Sequence, residues 1–467
     1  MNKWRNSKIM TISCLGLFMA MLDTLIVGVA LPQIELELQT TMVHLEWIMN
    51  AYTLIFAVGM IPFSLLAERF GRRKGFVLGL ALFTTGSLLA GISESVYTLI
   101  IARSIQGLGA SAIMPISLTL IYTAFPVEKR AIAVGLWSGI SGLGLTIGPL
   151  VGGIILAYYP WEMIFLVNVP IGIIAIILSF RWISESFGIK KRFDVVGALL
   201  LTVGLLGIVY ALITGNLLTW SHYSIIAGAI GGTLSLIMFL IWEMRCDYPL
   251  ITLRLFRYRS FTVTNFVGFW MSAGIFGSIF VLTLFLQQVQ GYSPLEAGVR
   301  EMLWTTMTMI AAPVAGMLIN RYLIRSVLMT GLLLQVLALC SFGIVVAQLG
   351  PFFSFGYLAP GMICAGVGMG FCFTGIQHGV LESIPEAYAG EGSGVSNALR
   401  ELGGVFGIAI AGVVFHSKGV VTDGQSFADA LVPTVFVCAG MIFLASLSML
   451  ILYIKPRYAQ TTHSEQG

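Results

Sequence analysis

The sequence predicts an all-α integral membrane protein with about fourteen transmembrane helices. The chain has 467 residues, of which 57% are hydrophobic and only 10% are charged, and its mean hydropathy is +0.94. A soluble domain carries roughly 25% charged residues, so lipid must be the solvent for most of this chain. A further observation supports this interpretation, because apolar runs long enough to cross a bilayer recur along the whole sequence.

These apolar runs give the order of the predicted helices. A hydrocarbon core of about 30 Å requires roughly 20 apolar residues per helix. The first run, residues 9–31, is too long for the apolar region of a signal peptide and is therefore interpreted as the first helix. Runs of this length begin near Ile9, Trp47, Phe76, Tyr97, Ala131, Ile164, Val195, Ser224, Thr262, Ala297, Ser326, Phe353, Ser393 and Ala430.

The basic residues predict the orientation of the chain. Nearly all of the 25 Lys and Arg residues fall in loops on the side of the membrane that carries the N-terminus. The opposite loops hold essentially only Lys418, with Arg300 near the outer end of the tenth helix. Because cytoplasmic loops are enriched in Lys and Arg, both termini are expected in the cytoplasm. A multi-pass protein of the cytoplasmic membrane with an even helix count is therefore expected.

Two parts of the chain are related to each other. One shift along the sequence superimposes Gly107 on Gly366 and Gly148 on Gly407. The predicted organisation is a six-helix bundle over residues 1–185, two inserted helices with linkers over 186–258, and a second six-helix bundle over 259–467. Repeated halves that share a binding site at their interface are typical of transporters. The same shift superimposes Leu99, Gly109, Gly135, Gly144 and Gly153 on Leu358, Gly368, Gly394, Gly403 and Gly412.

An aspartate inside the first helix is the first candidate functional residue. Asp23 lies in the run MLDTLIVGVALP, residues 21–32. An ionised aspartate in the middle of a membrane helix costs about 2.5–3.5 kcal/mol on insertion scales, so it is expected to face a polar partner or an aqueous cavity. Such a carboxyl group could exchange a proton or contact a cationic substrate. A structural hydrogen bond to a neighbouring helix is the alternative.

An arginine inside the fourth helix lies at a similar depth. Arg103 belongs to the run LIIARSIQGLG, residues 99–109, which also holds Gln106, a candidate for lining a substrate cavity. Asp23 and Arg103 each lie roughly 10–12 Å from the outer ends of their helices, so their side chains could meet. The repeat places Met362 at the position of Arg103, so packing does not require a charge there. Snorkelling of Arg103 to the outer interface is the alternative.

The fifth helix carries the glycine-rich run GLTIGPLVGG, residues 144–153. Gly144, Gly148 and Gly152 recur at every fourth position and permit close contact between helices. Pro149 removes a backbone donor and loosens the helix. Gly153 follows directly after Gly152. Small-residue packing alone would explain any single Gly-x-x-x-Gly motif.

The loop between the second and third helices is strongly charged. It reads SLLAERFGRRK, residues 64–74, and its charged residues Glu68, Arg69, Arg72 and Arg73 surround Gly71. A loop that is basic only because it lies on the cytoplasmic side is the alternative.

Together these four motifs resemble those of the major facilitator superfamily, in particular its fourteen-helix drug:proton antiporters, over nearly the whole chain. The resemblance implies that Asp23 and Arg103 take part in proton coupling. It also implies that the Gly-Pro helix carries the antiporter motif of exporters and that the 64–74 loop is a cytoplasmic gate. Ser64 and Glu68 stand where the family usually has Gly and Asp.

Two further sets of residues are candidates for the transport site. Arg400 and Glu401 form a charged pair in the thirteenth helix, either as a self-contained structural ion pair or with Glu401 as a second proton or cation site. The ninth helix carries an aromatic stripe that includes Phe269, Trp270 and Met271. This stripe either faces lipid and the core or lines a cavity, where aromatic and Met side chains suit varied apolar ligands.

These observations predict a monomeric, proton-driven exporter of lipophilic, often cationic, small molecules. An exporter dedicated to one compound, such as a tetracycline-like drug, a siderophore or a lipid, is the second hypothesis. A non-transporting sensor or scaffold is a third, which the short loops disfavour. The chain has no GxxxxGK[ST] sequence for ATP, no metal-ligand spacing and no catalytic set. No enzyme activity, cofactor, metal or nucleic-acid partner is therefore expected, and the proton gradient is the expected energy source.

Overall fold

The computed structural model describes residues 3–187, 194–218, 220–319, 321–385, 388–419 and 423–452. Within these ranges, 14 helices are long and apolar enough to cross a membrane, and no strand is present. One helical turn, Met163–Leu166, precedes the sixth of these helices, and a π-helical turn, Phe285–Val289, extends the ninth. The helices are α1 Lys3–Glu37, α2 Met42–Phe70, α3 Arg72–Gly91, α4 Val96–Ala124, α5 Val127–Tyr158, α6 Asn168–Trp182, α7 Val195–Leu218, α8 Tyr223–Arg245, α9 Arg259–Leu284, α10 Pro294–Ile319, α11 Ile324–Leu349, α12 Ala359–Glu382, α13 Ala389–His416 and α14 Gly424–Leu452.

Most of the helices begin within a few residues of their predicted starts. The largest differences are at α1, α12 and α14, and α14 begins at Gly424, before the apolar run predicted from Ala430. Helix α1 begins at Lys3, before the apolar run at Ile9, because a membrane helix can continue beyond the hydrocarbon core. Helix α12 begins at Ala359, so the predicted start at Phe353 is wrong. The segment before α12 contains Pro and Gly residues and forms the short 3-10 turn Phe355–Tyr357.

Helices α1–α6 and α9–α14 form two bundles with the same internal pairing. In the first bundle α1 packs along α5, and α4 packs along both α2 and α3. In the second bundle α9 packs along α13, and α12 packs along both α10 and α11. The closest approaches agree as well, because Gly107 lies against the backbone of Tyr52 and Gly366 lies against that of Trp304. The predicted fold class, two related six-helix bundles with two inserted helices, is confirmed.

The inserted helices α7 and α8 pack mainly against each other. Helix α7 also contacts α2 and α13, one helix from each bundle. Trp47 Nε1 on α2 donates a hydrogen bond to Thr214 Oγ1 on α7 at 3.3 Å. Helix α8 exposes a row of large apolar side chains, including Ile230, Leu234 and Met238, which suits a surface in contact with lipid.

The two bundles meet on one side of the membrane. The 14 spans of the described residues place the start of α1 and the end of α14 on the same side, called here the terminal side, and the opposite side is called the distal side. Near the middle of α5 and α10, Thr146 and Thr305 donate hydrogen bonds to each other's carbonyl oxygens at 3.4 and 3.3 Å. At the distal side, Gln287 Nε2 donates to the carbonyl oxygen of Val29 at 3.0 Å. These contacts close the distal side.

On the terminal side, three glycines of the two bundles have free space beside them. Gly142 and Gly139 continue the face of α5 that holds Thr146, at the helical spacing of three and four residues. Gly394 lies near the terminal end of α13, the helix that packs against α2 across the interface. Among the described residues, no atom other than the local backbone lies within 4 Å of a Cβ built at any of these three glycines. The contacts described above close this conformation on the distal side, and on the terminal side there is free space beside these three glycines.

Candidate functional site

Asp23 and Arg103, which the sequence places at similar depths, are in direct contact inside the first bundle. Arg103 Nη1 on α4 forms an ion pair with Asp23 Oδ2 on α1. Gln106 Nε2 donates to Asp23 Oδ1 at 3.2 Å, and Asn168 Nδ2 on α6 donates to the same oxygen at 3.3 Å. These four residues are called the polar cluster below. The carboxylate of Asp23 thus accepts hydrogen bonds from three side chains on two neighbouring helices.

The guanidinium group of Arg103 is fixed by further contacts. Its Nη1 donates to Gln106 Oε1 at 2.9 Å, and its Nε donates to the carbonyl oxygen of Ile48 on α2 at 3.3 Å. The guanidinium carbon lies 4.2 Å from the centre of the Tyr52 ring and 5.7 Å from that of Phe165. A planar guanidinium group stacks well on aromatic faces. The contacts with α1, α2 and the turn before α6 therefore define one position for this side chain.

The polar cluster is sealed from its surroundings. Asp23, Arg103 and Gln106 are 0% exposed, and Asn168 is 1% exposed. Burying an ion pair costs desolvation energy that the attraction between the charges often fails to offset, so such a pair is weak evidence of a stabilising role. In membrane helices, ionisable residues more often mark a functional site. Because Asp23 has no exposed surface, a cationic substrate cannot touch it in this conformation.

The glycine-rich run of α5 packs against one helix from each bundle. A Cβ on Gly144 would lie 3.1 Å from the carbonyl oxygen of Phe18, and one on Gly148 would lie 3.0 Å from that of Leu22. Gly152 continues this contact along α1, against Ile26. This face of α5 therefore packs along the helix that carries Asp23.

The second face of this run contacts α10 of the other bundle. A Cβ on Gly153 would lie 2.6 Å from Leu295 Cα, and one on Gly298 would lie 2.2 Å from the carbonyl oxygen of Pro149. The run from Gly144 to Gly153 therefore forms a seam between α1 and α10. Gly298 completes this seam from the other side, and it was not among the predicted site residues because a single glycine in a helix carries no distinct signal.

A small apolar cavity lies between the two bundles, next to this seam. It is lined by residues of α1, α2, α5, α9, α10, α12 and α13. Its free volume is about 40 Å³, enough for a few water-sized groups and far below the volume of a drug. A larger ligand would require the bundles or the lining side chains to move apart. The side chains that matter most for its chemistry are Met49, Phe276, Phe280, Glu301, Trp304 and Met362.

The four residues predicted as possible cavity residues lie outside this cavity. Gln106 belongs to the polar cluster, where it contacts Asp23 and Arg103. Phe269, Trp270 and Met271 lie nearer the terminal end of α9 than the cavity-lining aromatics of the same helix. The Phe269 ring packs against the Trp270 ring at 5.4 Å, and Met271 is fully buried.

Glu301 on α10 is a cavity residue that the sequence did not reveal. Thr283 Oγ1 on α9 donates a hydrogen bond to Glu301 Oε1 at 2.5 Å. Glu301 follows Arg300 near the predicted outer end of the tenth helix, so it resembled one of the polar residues that commonly end a membrane helix. The available signal was the same as for Asp23, an ionisable residue within an apolar run.

The charged pair of α13 is paired within itself. Arg400 Nη2 lies 3.1 Å from Glu401 Oε1, and the Arg400 guanidinium lies 4.9 Å from the centre of the Phe373 ring. Neither residue lines the cavity described above. This geometry fits the interpretation of a self-contained ion pair. A role of Glu401 as a second proton or cation site stays a prediction.

The charged loop after α2 is attached to the end of α6. Glu68 and Arg72 form a pair at 3.8 Å, and the Arg73 guanidinium lies 3.7 Å from the carboxylate of Glu185. Gly71 has a φ of +118°, a conformation that favours glycine, and a Cβ there would lie 2.6 Å from the Glu185 side chain. The loop is therefore held within the first bundle by Glu185, a partner that sequence reasoning missed.

Arg69 of the same loop has a different neighbour. Its guanidinium lies 5.3 Å from the centre of the Phe70 ring. In this conformation the gate motif thus makes its charged contacts with its own bundle.

Comparison with known proteins assigns the fold to a family. Residues 13–408 match the model of the Major Facilitator Superfamily. The multidrug resistance protein Stp of Mycobacterium tuberculosis is 33% identical over 402 residues, which cover 86% of this chain and 74% of Stp. The methylenomycin A resistance protein of Streptomyces coelicolor is 32% identical over 427 residues, covering 91% and 89% of the two chains.

This chain is a transporter of the major facilitator superfamily. Its fold is also similar to that of the xylose transporter XylE from E. coli, with a TM-score of 0.66, 14% identity and coverage of 96% of this chain and 98% of XylE. The family resemblance that the four motifs predicted is confirmed. Superfamily membership and the fourteen helices make it a multi-pass membrane protein and a transporter rather than an enzyme.

In this transporter another buried acidic residue lies at the interface between the bundles, near the distal side. Glu46 on α2 is 0% exposed and lies 3.7 Å from His416 Nδ1 on α13. A Cβ on Gly412 would lie 2.1 Å from Glu46 Oε1, so the carboxyl group packs directly against this glycine and would have to shift to admit a larger residue. The repeat aligns Gly412 with Gly153 of α5, so two of the distal contacts between the bundles lie at glycines in equivalent positions.

Proposed function

We propose that this transporter exports lipophilic, often cationic, small molecules from the cytoplasm in exchange for protons. The observation that carries the proposal is the buried Asp23–Arg103 ion pair inside one bundle, next to an apolar cavity between the bundles. The names of the relatives support export of toxic compounds, since one is a multidrug resistance protein and another a methylenomycin A resistance protein. The proton gradient would be the energy source, with no cofactor.

The polar cluster would act as the proton site. Protonation of Asp23 removes its negative charge and breaks the ion pair with Arg103, which frees α4 from α1. Gln106 and Asn168 would then donate to a neutral carboxyl group, so the cluster would lose most of its electrostatic attraction. Because α1 also packs along the glycine seam of α5, a shift of α1 would reach α10 in the other bundle. This route connects proton binding to the opening and closing of the interface.

The orientation belongs to the same proposal. Basic residues are concentrated on the terminal side, so the positive-inside rule favours a cytoplasmic location for both termini. With this orientation the conformation described here is closed to the outside, as expected of the state in which an exporter takes up its substrate from the cytoplasm. The protein would act as a monomer in the cytoplasmic membrane.

The energetics of exchange limit the stoichiometry. One proton exchanged for one monovalent cation moves no net charge, so only the pH gradient drives export. That gradient supplies about 1.4 kcal/mol per pH unit, a tenfold concentration ratio. A second proton would add about 2.3 kcal/mol per 100 mV of membrane potential. Glu401 is the candidate carrier of that second proton.

The test uses purified protein in proteoliposomes that contain the pH-sensitive dye pyranine. The membrane potential is clamped with valinomycin and equal potassium on both sides, the lumen is made acidic, and ethidium is added outside. We expect ethidium to accumulate while the lumen becomes more alkaline, because each dye molecule that enters the lumen is exchanged for protons that leave it. Nigericin, which collapses the pH gradient, should abolish accumulation.

Protein-free liposomes provide the control for passive entry of the dye. Ethidium accumulation that survives nigericin would contradict proton exchange. Accumulation without any change in lumenal pH would do the same.

An exporter dedicated to one compound is the second candidate, favoured by the methylenomycin A resistance protein among the relatives. The same liposomes separate the two candidates. A broad exporter should have its ethidium transport inhibited by several unrelated lipophilic cations, whereas a dedicated exporter should respond to one compound class.

A further inference from the structure

We propose that Glu301, with Thr283 and Trp304, forms the binding site for the cationic group of a lipophilic monovalent substrate. This inference rests on the proposed function and assigns its substrate site to the second bundle. The substrate cation and the coupling proton would then occupy different carboxyl groups, Glu301 in the cavity and Asp23 in the polar cluster.

The charge of the cavity comes from Glu301. Among the described residues that line the cavity, Glu301 is the only ionisable one. Its carboxylate accepts a hydrogen bond from Thr283. The adjacent Arg300 is engaged elsewhere, since its Nη1 donates to the carbonyl oxygen of Glu296 at 2.9 Å and its guanidinium lies 3.6 Å from the centre of the Tyr292 ring. A negative group surrounded by apolar side chains attracts a cation whose remaining surface is apolar.

Trp304, one helical turn along α10, independently indicates a ligand. Its side chain lines the cavity and is 3% exposed. Among the described residues its indole Nε1 has no hydrogen-bond partner, and a buried donor without a partner is destabilising. A ligand with an ether, amide or hydroxyl oxygen near its cationic group would accept this hydrogen bond. The aromatic face of Trp304, together with Phe276 and Phe280, would also stabilise a cation.

The repeat shows that packing does not require an acid at this position. The contacts of Gly107 with Tyr52 and of Gly366 with Trp304 place α2 and α10 in equivalent positions. In this correspondence Glu301 matches Met49, which lines the same cavity from the first bundle. A methionine therefore fills this position of the fold without a charge, so the carboxylate of Glu301 calls for a functional explanation.

The location of Glu301 also connects the ligand with the polar cluster. Glu301 lies one turn from Gly298, which packs against the carbonyl oxygen of Pro149 on α5. A ligand that widens the cavity would move α10 away from the α5 seam, and the seam contacts α1 next to Asp23. Substrate and proton would thus influence each other through α5 and would not compete for one carboxyl group.

The test compares two probes that differ mainly in one charged group. Trimethylammonium-diphenylhexatriene is a lipophilic monocation, and diphenylhexatriene is its neutral parent. Binding to purified full-length protein in detergent is followed by fluorescence anisotropy. For Glu301→Gln we expect the affinity for the cationic probe to fall by at least about tenfold, because a charge-assisted contact is lost. The affinity for the neutral probe should change by less than about twofold.

Two further variants keep this test decisive. Glu296→Gln makes the same change on the same helix outside the cavity, and it should bind both probes like the parent. Glu301→Asp retains the charge and should retain preference for the cationic probe, so it tests the site even if Glu301→Gln fails to fold. An unchanged affinity of Glu301→Gln for the cationic probe would overturn the assignment.

Transport by the parent separates the two proposals. If the parent exports the cationic probe while Glu301→Gln binds it normally, only the assignment of Glu301 fails. If the parent neither binds nor exports the cationic probe or ethidium, the proposed function fails as well.

Discussion

The two bundles share one packing scheme but differ in where they place their charges. In the first bundle Gly144 and Gly148 approach the carbonyl oxygens of Phe18 and Leu22. In the second bundle, the equivalent Gly403 and Gly407 approach those of Phe269 and Ala273. These contacts place Gly274 at the position of Asp23, and the sequence repeat places Met362 at that of Arg103.

The second bundle thus has no ion pair where the first has one. A Cβ on Gly274 would lie 2.4 Å from the Ile442 side chain, so α14 fills the space that polar groups occupy in the first bundle. Met362 lines the cavity between the bundles. The fold is therefore stable with apolar residues at both positions, and the charges of the first bundle need a reason other than packing. The comparison favours a division of roles, with proton coupling in the first bundle and substrate binding by the second.

The largest expected effect comes from removing the charge of Asp23. Asp23→Asn cannot exchange a proton, so ethidium transport in proteoliposomes should fall to the level of protein-free liposomes. Because Asp23 is sealed from the cavity, the affinity for the cationic probe should stay within about threefold of the parent. Asp429→Asn, an exposed acid at the distal end of α14, is the control and should transport normally.

This substitution also leaves Arg103 buried without its counter-charge, which can cost about 3–5 kcal/mol. The double variant Asp23→Asn/Arg103→Gln removes both charges and should restore the folded protein without restoring transport. Normal ethidium transport by either variant would show that the first bundle does not carry the coupling proton, and Glu401 would then be the next carboxyl group to test.

The sequence predicted the charged members of the site better than their partners. Asp23 and Arg103 could be identified because an ionisable residue is costly in a membrane helix, and their depths followed from the helical rise. Asn168 carries no such cost and gave no signal. Glu301 and Glu46 lie close to helix ends, where acids are common, and their inward direction depends on helix rotation. The weak amphipathicity of nearly all these helices leaves that rotation undefined until the bundles are packed.

The next largest effect concerns Arg103, compared with its counterpart Met362. Arg103→Ala should reduce proton-coupled ethidium transport at least about tenfold. Asp23 would lose the guanidinium partner that the coupling proton must replace. Arg103→Lys should restore part of the activity, since an ammonium group supplies the charge but cannot contact Asp23, Gln106 and the Ile48 carbonyl oxygen as a planar group does.

The matched control for this prediction is Met362→Leu in the second bundle. It preserves volume and should cost less than about 1.5 kcal/mol in stability, with pH-driven transport retained. Equal losses in Arg103→Ala and Met362→Leu, measured at equal amounts of reconstituted protein, would remove the functional difference between the bundles.

The smallest expected effect tests the shared packing scheme itself through Gly148 and Gly407. A Cβ on Gly407 would lie 2.0 Å from the carbonyl oxygen of Ala273, whereas a Cβ on Gly148 would lie 3.0 Å from that of Leu22. Gly407→Ala should therefore destabilise the protein by about 1–3 kcal/mol or more, as overpacking does. Gly148→Ala requires a shift of only a few tenths of an ångström and should cost less than about 1 kcal/mol.

Thermal unfolding of the purified variants in one detergent measures this difference. We also expect Gly148→Ala to slow ethidium transport a few-fold while it stays folded, because α1 and α5 must move against each other when the polar cluster changes its protonation. Gly407 lies in the bundle that has no counterpart of the Asp23–Arg103 pair, so any loss of transport in Gly407→Ala should follow its loss of folded protein. If Gly148→Ala transports at the parental rate, the seam along α1 is a packing contact alone, and the route from Asp23 to α10 must run through other helices.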